Sequence, residues 1–293
     1  MMLKEAVDGL AVKRRGRYID GTFGRGGHAR EIVRRGGEVL GIDRDAEAVA
    51  SAGEIKVVRG NHGDLARIAS EHGWDEVDGI LLDLGVSSPQ LDDAGRGFSF
   101  LRDGPLDMRM DRSGGITAAD LVNFEGAERL EEIFRRWGEE PRARQISKAI
   151  LRARNERGVR FERTSQLAVF VERLLGRRDG HHPATRVFQA LRMEVNDEMG
   201  GLKRALEGGM NILKPGGRFA VITFESLTDR EVKAFFAAHV GRMRSLQQGG
   251  EEWSGQQPRA VAVTRKAVVA GRDEREVNPR ARSAKLRVVE RRS

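Results

Sequence analysis

The chain contains no cysteine. It can therefore form no disulfide, no thiolate metal site and no cysteine nucleophile. Aromatic residues make up only 5% of the sequence, with a single tyrosine, and no apolar run approaches the length of a membrane span. No long apolar stretch follows the first basic residues in the manner of a secretory leader. Composition therefore predicts that no membrane is a partner and that the cytoplasm is the default location.

Charge is abundant but unevenly placed. The 293 residues carry a net charge of +8, and 33% of them are charged. Residues 141–178 hold eleven Lys/Arg against three Glu, and residues 259–293 hold eleven against four acidic residues. The rest of the chain is therefore acidic. Two concentrated basic blocks indicate a surface that binds phosphates, although either block alone could be an ordinary solvated face.

The most informative stretch covers residues 18–28, which combine an apolar start with four glycines. This pattern predicts a short buried strand, a glycine-rich turn and a helix that begins near His28. A second strand over 38–42 is followed by Asp43, where a carboxylate can bind both ribose hydroxyls of a nucleoside. The spacing fits an NAD enzyme as well as an S-adenosylmethionine enzyme. A glycine turn without a ligand is the third interpretation.

Strands and helices alternate over the first 95 residues. Strands are predicted at 17–21, 38–42, 55–59 and 77–83, which indicates a doubly wound α/β sheet. A loop after the third strand places His62 at the ligand edge, where it could lie against an adenine ring. Asp64 is expected to cap the helix that follows.

The fourth predicted strand ends in Asp83, and Ser87, Ser88 and Gln90 follow closely. A carboxylate, two hydroxyls and an amide thus arrive beside the glycine loop. Such groups can orient an amine or hydroxyl nucleophile by hydrogen bonding.

These segments resemble the bacterial 16S ribosomal RNA cytosine-N4 methyltransferase family. The resemblance spans essentially the whole chain, and the matching segments are residues 20–28, 79–111, 182–192, 195–198, 224–230 and 278–283. It implies a Rossmann-like class I methyltransferase fold and S-adenosylmethionine as cofactor. The implied reaction is transfer of a methyl group to the exocyclic N4 amine of a cytosine in the decoding region of 16S rRNA.

The resemblance also implies how the chain is divided. Residues 1–101 and 186–293 should form the methyltransferase domain, and 102–185 an inserted helical domain that meets RNA. Within the insert, helical patterns cover 118–122, 127–137, 143–154 and 164–175. Beyond it we expect one return helix over 186–213, ended by a Pro-Gly-Gly turn, then a strand over 218–224 and a helix over 228–239. Strands near 260–265 and 285–289 should close the sheet as an antiparallel hairpin.

Site residues follow from the resemblance, position by position. The cofactor should be held by Gly26, Gly27 and His28 at its methionine part, Asp43 at the ribose, His62 near the adenine, and Asp83 and Gln90 elsewhere. The transfer should involve Asp83, Ser87, Ser88 and Asn196. Asn196 shares a polar face of the return helix with Gln189 and Arg192. No metal is required, and the adjacent His181 and His182 are a poor arrangement for zinc.

The expected partners are 16S rRNA and the small ribosomal subunit, and a homodimer is left open. A non-catalytic RNA-binding or assembly protein is the main alternative. An NAD-dependent oxidoreductase lacks a recognisable hydride-transfer set. A DNA amino methyltransferase would carry a Pro-Pro-aromatic motif, which is absent after Asp83. Three departures from the family pattern stand out. Glu225 replaces the usual histidine, and His62 replaces the usual aromatic residue near the adenine. The usual segment before the entry helix is missing, which favours a start upstream of Met1.

Overall fold

A computed structural model describes residues 1–177, 180, 182–245, 251–254 and 257–292, with only the backbone for 242–245 and 251–254. The chain forms two compact units, Met1–Gly85 with Met199–Ser293 and Val86–Glu198. No helix within the described residues is both long and apolar enough to cross a membrane. His181, half of the histidine pair considered for zinc, lies outside the described residues.

Helices and strands alternate up to residue 83, the second unit is helical, and, in the described part of the chain, four successive strands lie between residues 242 and 269. The helices are α1 (Leu3–Leu10), α2 (Gly27–Arg34), α3 (Ala46–Ala50), α4 (Leu65–Glu71), α5 (Ser88–Asp92), α6 (Ala118–Phe124), α7 (Ala127–Arg136), α8 (Ala143–Arg157), α9 (Thr164–Leu175), α10 (Thr185–Val195), α11 (Glu198–Ile212), α12 (Ser226–Val240) and α13 (Arg272–Val277). The strands are β1 (Arg17–Asp20), β2 (Glu38–Asp43), β3 (Lys56–Arg59), β4 (Val77–Asp83), β5 (Leu213–Thr223), β6 (Arg242–Ser245), β7 (Glu251–Ser254), β8 (Ala260–Ala262), β9 (Val268–Val269) and β10 (Lys285–Arg291).

The first unit is built on one sheet in the order β3-β2-β1-β4-β5-β10-β8, with β9 also paired to β10. Strands β1 to β5 run parallel, and β10 is antiparallel to β5, β8 and β9. This confirms the predicted doubly wound α/β fold and its antiparallel closure. The strand order reverses between β1 and β4, and ligands bind at such a switch point in open α/β sheets.

The central strands are buried because their sequences are nearly continuous apolar runs. In β4, Ile80, Leu81 and Leu82 are fully inaccessible, as is Tyr18 in β1. Parallel strands covered by helices on both faces require such runs, whereas a half-exposed strand would alternate polar and apolar residues. Strands β1, β2 and β4 each end in an aspartate, so three carboxylates lie along the carboxyl-end edge of the sheet.

The segment predicted as one return helix is two helices, so that prediction is wrong. Helix α10 ends at Val195 and α11 begins at Glu198. Asp197 adopts a left-handed conformation with φ 44°, which a continuous right-handed helix does not allow. Asn196 is buried and its side chain bonds to backbone groups of the loop at 108–110. These bonds favour a break that the unbroken apolar stripe concealed.

Two further local predictions differ from the structure. Asp64 occupies the N-cap position of α4, but its side chain makes no capping hydrogen bond. The Pro-Gly-Gly turn at 215–217 was expected to end the helix before the next strand. The turn instead lies within β5, which begins at Leu213.

The second unit is helical, and its core is formed by α6 to α10 with the loop before them. Phe134, Ile146, Phe161 and Leu167 are among its fully buried side chains. The four helices predicted for the insert are therefore present as α6 to α9. The unit begins at Val86 and ends at Glu198, outside the predicted bounds of 102 and 185, because Val86, Leu91 and most apolar residues of α10 pack on this core.

A buried ion pair ties the closing strand to its covering helix. Asp229 of α12 accepts hydrogen bonds from Arg287 of β10 at 2.7 and 3.1 Å and from Lys285 at 3.2 Å. Burial alone would raise the pKa of Asp229, but these hydrogen bonds outweigh it and lower the pKa below its usual range. The ionised carboxylate is therefore part of the folded state.

We predict that Asp229→Asn lowers the free energy of unfolding by about 3 kcal/mol at pH 7, because the partly buried Arg287 is left without its counter-charge. A carboxylate with a lowered pKa stabilises the fold above the unfolded-state pKa of about 3.9, and this contribution is lost as the pH falls through the folded-state pKa. The difference between wild type and variant should therefore shrink as the pH falls from about 5 to below 3. Urea denaturation at several pH values measures it.

Glu290→Gln is the matched control. Glu290 pairs with Arg218 across β10 and β5, and that pair is more exposed to solvent. Its loss should cost under about 1 kcal/mol. Equal costs for the two variants would show that the Asp229 pair does not stabilise the closing strand.

Candidate active site

Three carboxylates stand at one edge of the sheet. Asp20, Asp43 and Asp83 are the last residues of β1, β2 and β4. Parallel pairing places these ends side by side: Asp20 lies opposite Leu81, two residues before Asp83, and next to Gly41, two residues before Asp43. The carboxyl ends of parallel strands meet where the sheet order reverses. The site is therefore an acidic edge beside the glycine loop.

The aromatic ring of Phe23 packs against the glycine loop. The Phe23 N–H donates to the Ile42 carbonyl at 3.0 Å, and the Phe23 carbonyl accepts from Gly26 at 2.7 Å. Gly26 has φ 71°, and a Cβ there would come within 2.5 Å of the Phe23 ring. Glycine is therefore required at position 26 by both backbone conformation and space.

Gly27 begins α2, and a Cβ built on it would meet nothing within 4 Å. The loop thus presents open space above the helix N-terminus, where backbone N–H groups have no partner within the helix. The sequence predicted that Gly26 and Gly27 hold the methionine part of a cofactor. The open surface at Gly27 fits a ligand that lies close to the backbone.

Asp43 secures the loop as well as facing the site. One oxygen accepts from the Gly24 N–H at 2.8 Å and the other from the Asp45 N–H at 2.9 Å. Burial raises the pKa of Asp43. Each carboxylate oxygen has a second lone pair, so the same group can still accept from the ribose hydroxyls that the sequence assigned to it.

Asp83 is positioned by its backbone and leaves one oxygen without a partner. Its N–H donates to the Thr22 hydroxyl at 2.6 Å, which fixes the strand end against the glycine loop. Within the described residues, Oδ1 is inaccessible to solvent and has no hydrogen-bond partner. Burial raises the pKa of Asp83 to about 6. The carboxylate is therefore a stronger base than an exposed aspartate and is still mostly ionised at pH 7.

Asp20 is a site residue that the sequence reasoning missed. It is fully buried, and among the described residues its Oδ2 has no hydrogen-bond partner. Burial and, to a smaller extent, the neighbouring charges of Asp83 and Asp43 raise the pKa of Asp20 to about 7. An acidic residue at the end of an apolar strand was the available signal, because an uncompensated buried carboxylate is rare in structural positions.

His28, the second residue of α2, is buried against the start of the chain. Its Nε2 lies 2.9 Å from the Met1 carbonyl and its Nδ1 lies 4.0 Å from Asp83. Burial lowers the pKa of His28 to about 4. The imidazole is therefore neutral at pH 7 and contributes hydrogen bonding and shape, not charge.

His62 lies in a short turn after β3, at the same edge of the sheet. Its Nε2 is inaccessible to solvent and has no partner among the described residues. Burial and, to a smaller extent, the cations of Arg44 and Arg204 lower the pKa of His62 to about 3. A neutral imidazole ring can lie against an adenine, and this role of His62 stays a prediction from the sequence.

The residues of this edge fit S-adenosylmethionine. Its α-ammonium and sulfonium are cationic, and Asp20 and Asp83, at strand ends beside the loop, each have a buried oxygen without a hydrogen-bond partner among the described residues. The Met1 ammonium lies 3.8 Å from the other oxygen of Asp83. Cationic groups of a ligand can partner such oxygens and offset their desolvation. Neutral His28 and His62 add no competing positive charge.

The remaining predicted residues lie in the second unit, where they have local partners. The Ser87 hydroxyl accepts from the Gln90 N–H at 3.4 Å, and the Gln90 amide oxygen accepts from the Ser87 N–H at 3.0 Å. This capping box starts α5, whose first residue is Ser88. Roles for Ser87, Ser88 and Gln90 in transfer or cofactor binding stay predictions from the sequence.

Asn196 holds a loop within the same unit. Its amide oxygen accepts from the Met110 N–H at 2.8 Å, and its amide nitrogen donates at 2.8 Å to the carbonyls of Met108 and Arg192. Met108 has φ 64°, which is unusual for methionine. These bonds stabilise the strained loop. They give Asn196 a structural role alongside the predicted part in transfer.

Comparison with known proteins identifies the family. A model of the MraW methylase family matches residues 1–292. The ribosomal RNA small subunit methyltransferase H of Paramagnetospirillum magneticum is 46% identical, over 99% of this chain and 94% of its own length. The protein of the same name from Symbiobacterium thermophilum is 45% identical, over 99% of this chain and 95% of its own.

Among solved structures, a ribosomal RNA methylase from Streptococcus thermophilus aligns over 100% of this chain and 98% of its own, with a TM-score of 0.44 and 10% identity. A likeness this weak carries no argument. The family model and the two sequence relatives are sufficient, and they confirm the resemblance seen in the sequence. The chain belongs to the MraW methylase family.

Proposed function

We propose that this protein methylates the exocyclic N4 amine of a cytosine in the decoding region of 16S rRNA. The observation that carries the proposal is Asp83, a partly buried carboxylate at the switch point of the sheet with a raised pKa and, among the described residues, an inaccessible oxygen that has no hydrogen-bond partner. The relatives at 45–46% identity are named ribosomal RNA small subunit methyltransferases, which supports this class of substrate.

The methyl donor is S-adenosylmethionine, whose sulfonium supplies an electrophilic methyl group. The amine of cytosine is a weak nucleophile, because its lone pair is delocalised into the ring. Asp83 accepts a hydrogen bond from this amine, orients the nitrogen and takes up a proton as the new bond forms. The raised pKa favours this role, since a carboxylate that titrates near 6 binds a proton more tightly than an exposed one.

The insert supports RNA as substrate through an unneutralised basic surface. Six basic side chains of α8 and the turn after it have no carboxylate within ion-pair distance among the described residues: Arg144, Lys148, Arg152, Arg154, Arg157 and Arg160. In α7, by contrast, Arg129, Arg135 and Arg136 all pair with glutamates.

Three of these cations form a stripe. Arg144, Lys148 and Arg152 are exposed and four residues apart, so they lie along one face of α8 at intervals of about 6 Å. Cations without internal partners are available to phosphates. We infer that this stripe, here called the α8 stripe, binds the RNA backbone. From the proposed rRNA or small-subunit substrate we also infer a cytoplasmic location.

The decisive experiment follows radiolabelled methyl transfer from S-adenosylmethionine to small ribosomal subunits that lack the modification, with nucleoside analysis of the product. Wild type should place label in N4-methylcytidine. Asp83→Ala and Asp83→Asn should both lower the rate at least about 100-fold, because each removes the proton acceptor. For wild type, kcat/KM should rise through about pH 6 and level above it, since Asp83 must be ionised.

Asp78→Asn is the matched control, because Asp78 is a carboxylate of the same strand that pairs with Lys214 away from the site. It should retain transfer. Cofactor binding by each folded variant is measured in parallel. RNA binding with cofactor binding but no transfer by wild type would replace the enzyme proposal with that of an RNA-binding or assembly protein.

A second prediction separates the two roles of Asn196. If it acts by holding the loop at 108–110, Asn196→Ala lowers the free energy of unfolding by about 3 kcal/mol, because buried backbone groups lose their partners. Transfer by the folded fraction should fall only modestly. Chemical denaturation and single-turnover rates measure the two effects.

Asn155→Ala, at an exposed position of α8, controls for loss of an asparagine and should leave both quantities unchanged. A folded Asn196→Ala protein with unaltered stability but no transfer would instead establish a direct part in the reaction.

A third prediction tests the α8 stripe. Replacing Arg144, Lys148 and Arg152 by glutamine should weaken binding to single-stranded RNA about tenfold or more at low salt. The slope of log Kd against log salt should fall by about 2, because up to three phosphate contacts are lost. Arg135→Gln/Arg136→Gln on α7 removes two cations that already pair with glutamates, and it should change the slope little. Equal changes would refute a specific α8 stripe.

A further inference from the structure

One aromatic side chain of the second unit faces solvent. Phe124, the last residue of α6, is 71% exposed. It is the aromatic member among the large hydrophobic side chains that the described part of the chain exposes. An exposed ring gains little from folding. Its position is therefore better explained by contact with another molecule than by packing.

The backbone around Phe124 is fixed on both sides. The preceding Asn123 is buried, and its side chain bonds to both the N–H and the carbonyl of Phe161 at 2.9 Å. Arg154 donates to the carbonyls of Val122 at 3.2 Å and Glu125 at 2.6 Å. The end of α6 is thus clamped to the turn between α8 and α9. The ring is exposed on a rigid support, which reduces the entropy lost when it binds a ligand.

A guanidinium group lies over this ring. The Arg160 carbon Cζ is 5.6 Å from the centroid of Phe124, within the range of a cation–π contact. Neither Arg160 nor Arg154 pairs with a carboxylate in the described part of the chain; both donate to backbone carbonyls. The ring is therefore bordered by Arg160, whose guanidinium has no carboxylate within ion-pair distance among the described residues.

We propose that Phe124 and Arg160 form a stacking platform for an unpaired base of the RNA substrate. Every base has a π-face that stacks on an aromatic ring or a guanidinium plane, and single-stranded RNA is recognised in this way. The proposal rests on the proposed function, since it assigns a base-binding place on the insert to the same substrate.

The positive charge beside the ring favours RNA over an apolar protein partner. An apolar protein partner would have to desolvate the exposed Arg160 guanidinium beside the ring, which costs free energy without a compensating anion. A nucleic acid strand brings a phosphate for this cation and a planar base for the ring. A duplex keeps its bases stacked inside, so the platform should distinguish single strands from duplexes.

The experiment measures the affinity of full-length Phe124→Ala for a fluorescein-labelled single-stranded RNA and for a duplex of the same length, over a series of salt concentrations. We expect about tenfold weaker binding of the single strand, the effect of losing one stacked base. The duplex affinity and the slope of log Kd against log salt should not change, because no charge is removed. Phe124→Tyr should bind as wild type does, since it keeps the ring.

Leu101→Ala is the matched control, since Leu101 is 87% exposed in the same unit and has no π-face. It should bind both RNAs as wild type does. Thermal unfolding verifies that each variant folds. Because Phe124 is exposed, we expect its replacement to leave the fold intact.

Each contrary outcome has a distinct meaning. If Phe124→Ala binds the single strand as wild type does, or loses single strand and duplex equally, the platform is refuted. If it binds naked RNA normally but small subunits weakly, the ring contacts a ribosomal protein, which also refutes it. Failure of wild type to bind any RNA would instead overturn the proposed function.

Discussion

The structure depends on holding carboxylate oxygens away from water at the point where the strand order of the sheet reverses. An ionised carboxylate taken out of water loses several kcal/mol of solvation unless partners replace the water. Asp43 recovers part of this through two backbone N–H groups, whereas Asp20 and Asp83 each keep an unpartnered oxygen among the described residues. A fold that tolerates this cost has a site that is stabilised when a cationic ligand binds.

This constraint explains why the glycine loop is built as it is. The loop must pass close to the strand ends, so Asp43 bonds to Gly24 and Thr22 accepts from Asp83. Phe23 fills the space beneath, which only a glycine at position 41 leaves open, since a Cβ there would lie 2.8 Å from the ring. The loop is therefore rigid before any ligand arrives, and the ligand does not have to order it.

Much of the fold could be predicted from the sequence because long apolar runs have one interpretation. Strands β1 to β4 and the four helices α6 to α9 were expected within a few residues, as was Asp43 at a strand end. The break at Asn196 was missed because the apolar stripe continues through it, and only side-chain bonds to the distant loop at 108–110 show why the helix stops. Asp20 was missed because the sequence does not show whether a carboxylate at a strand end has hydrogen-bond partners in the folded protein.

The insert shows the same distinction between composition and pairing. The net charge of residues 141–178 predicted a basic surface, but α7 is also rich in arginine and is internally neutralised by Glu131, Glu132 and Glu194. Whether a basic side chain is available to a phosphate depends on where the carboxylates lie after folding. A count of charges in the sequence does not contain that information. Among the described residues, α8 and the surroundings of Phe124 include cations without a carboxylate partner, so electrostatic attraction and base stacking can both act on RNA. Phosphate contacts position such a strand without reading its sequence, and a fixed aromatic ring adds a preference for unpaired bases.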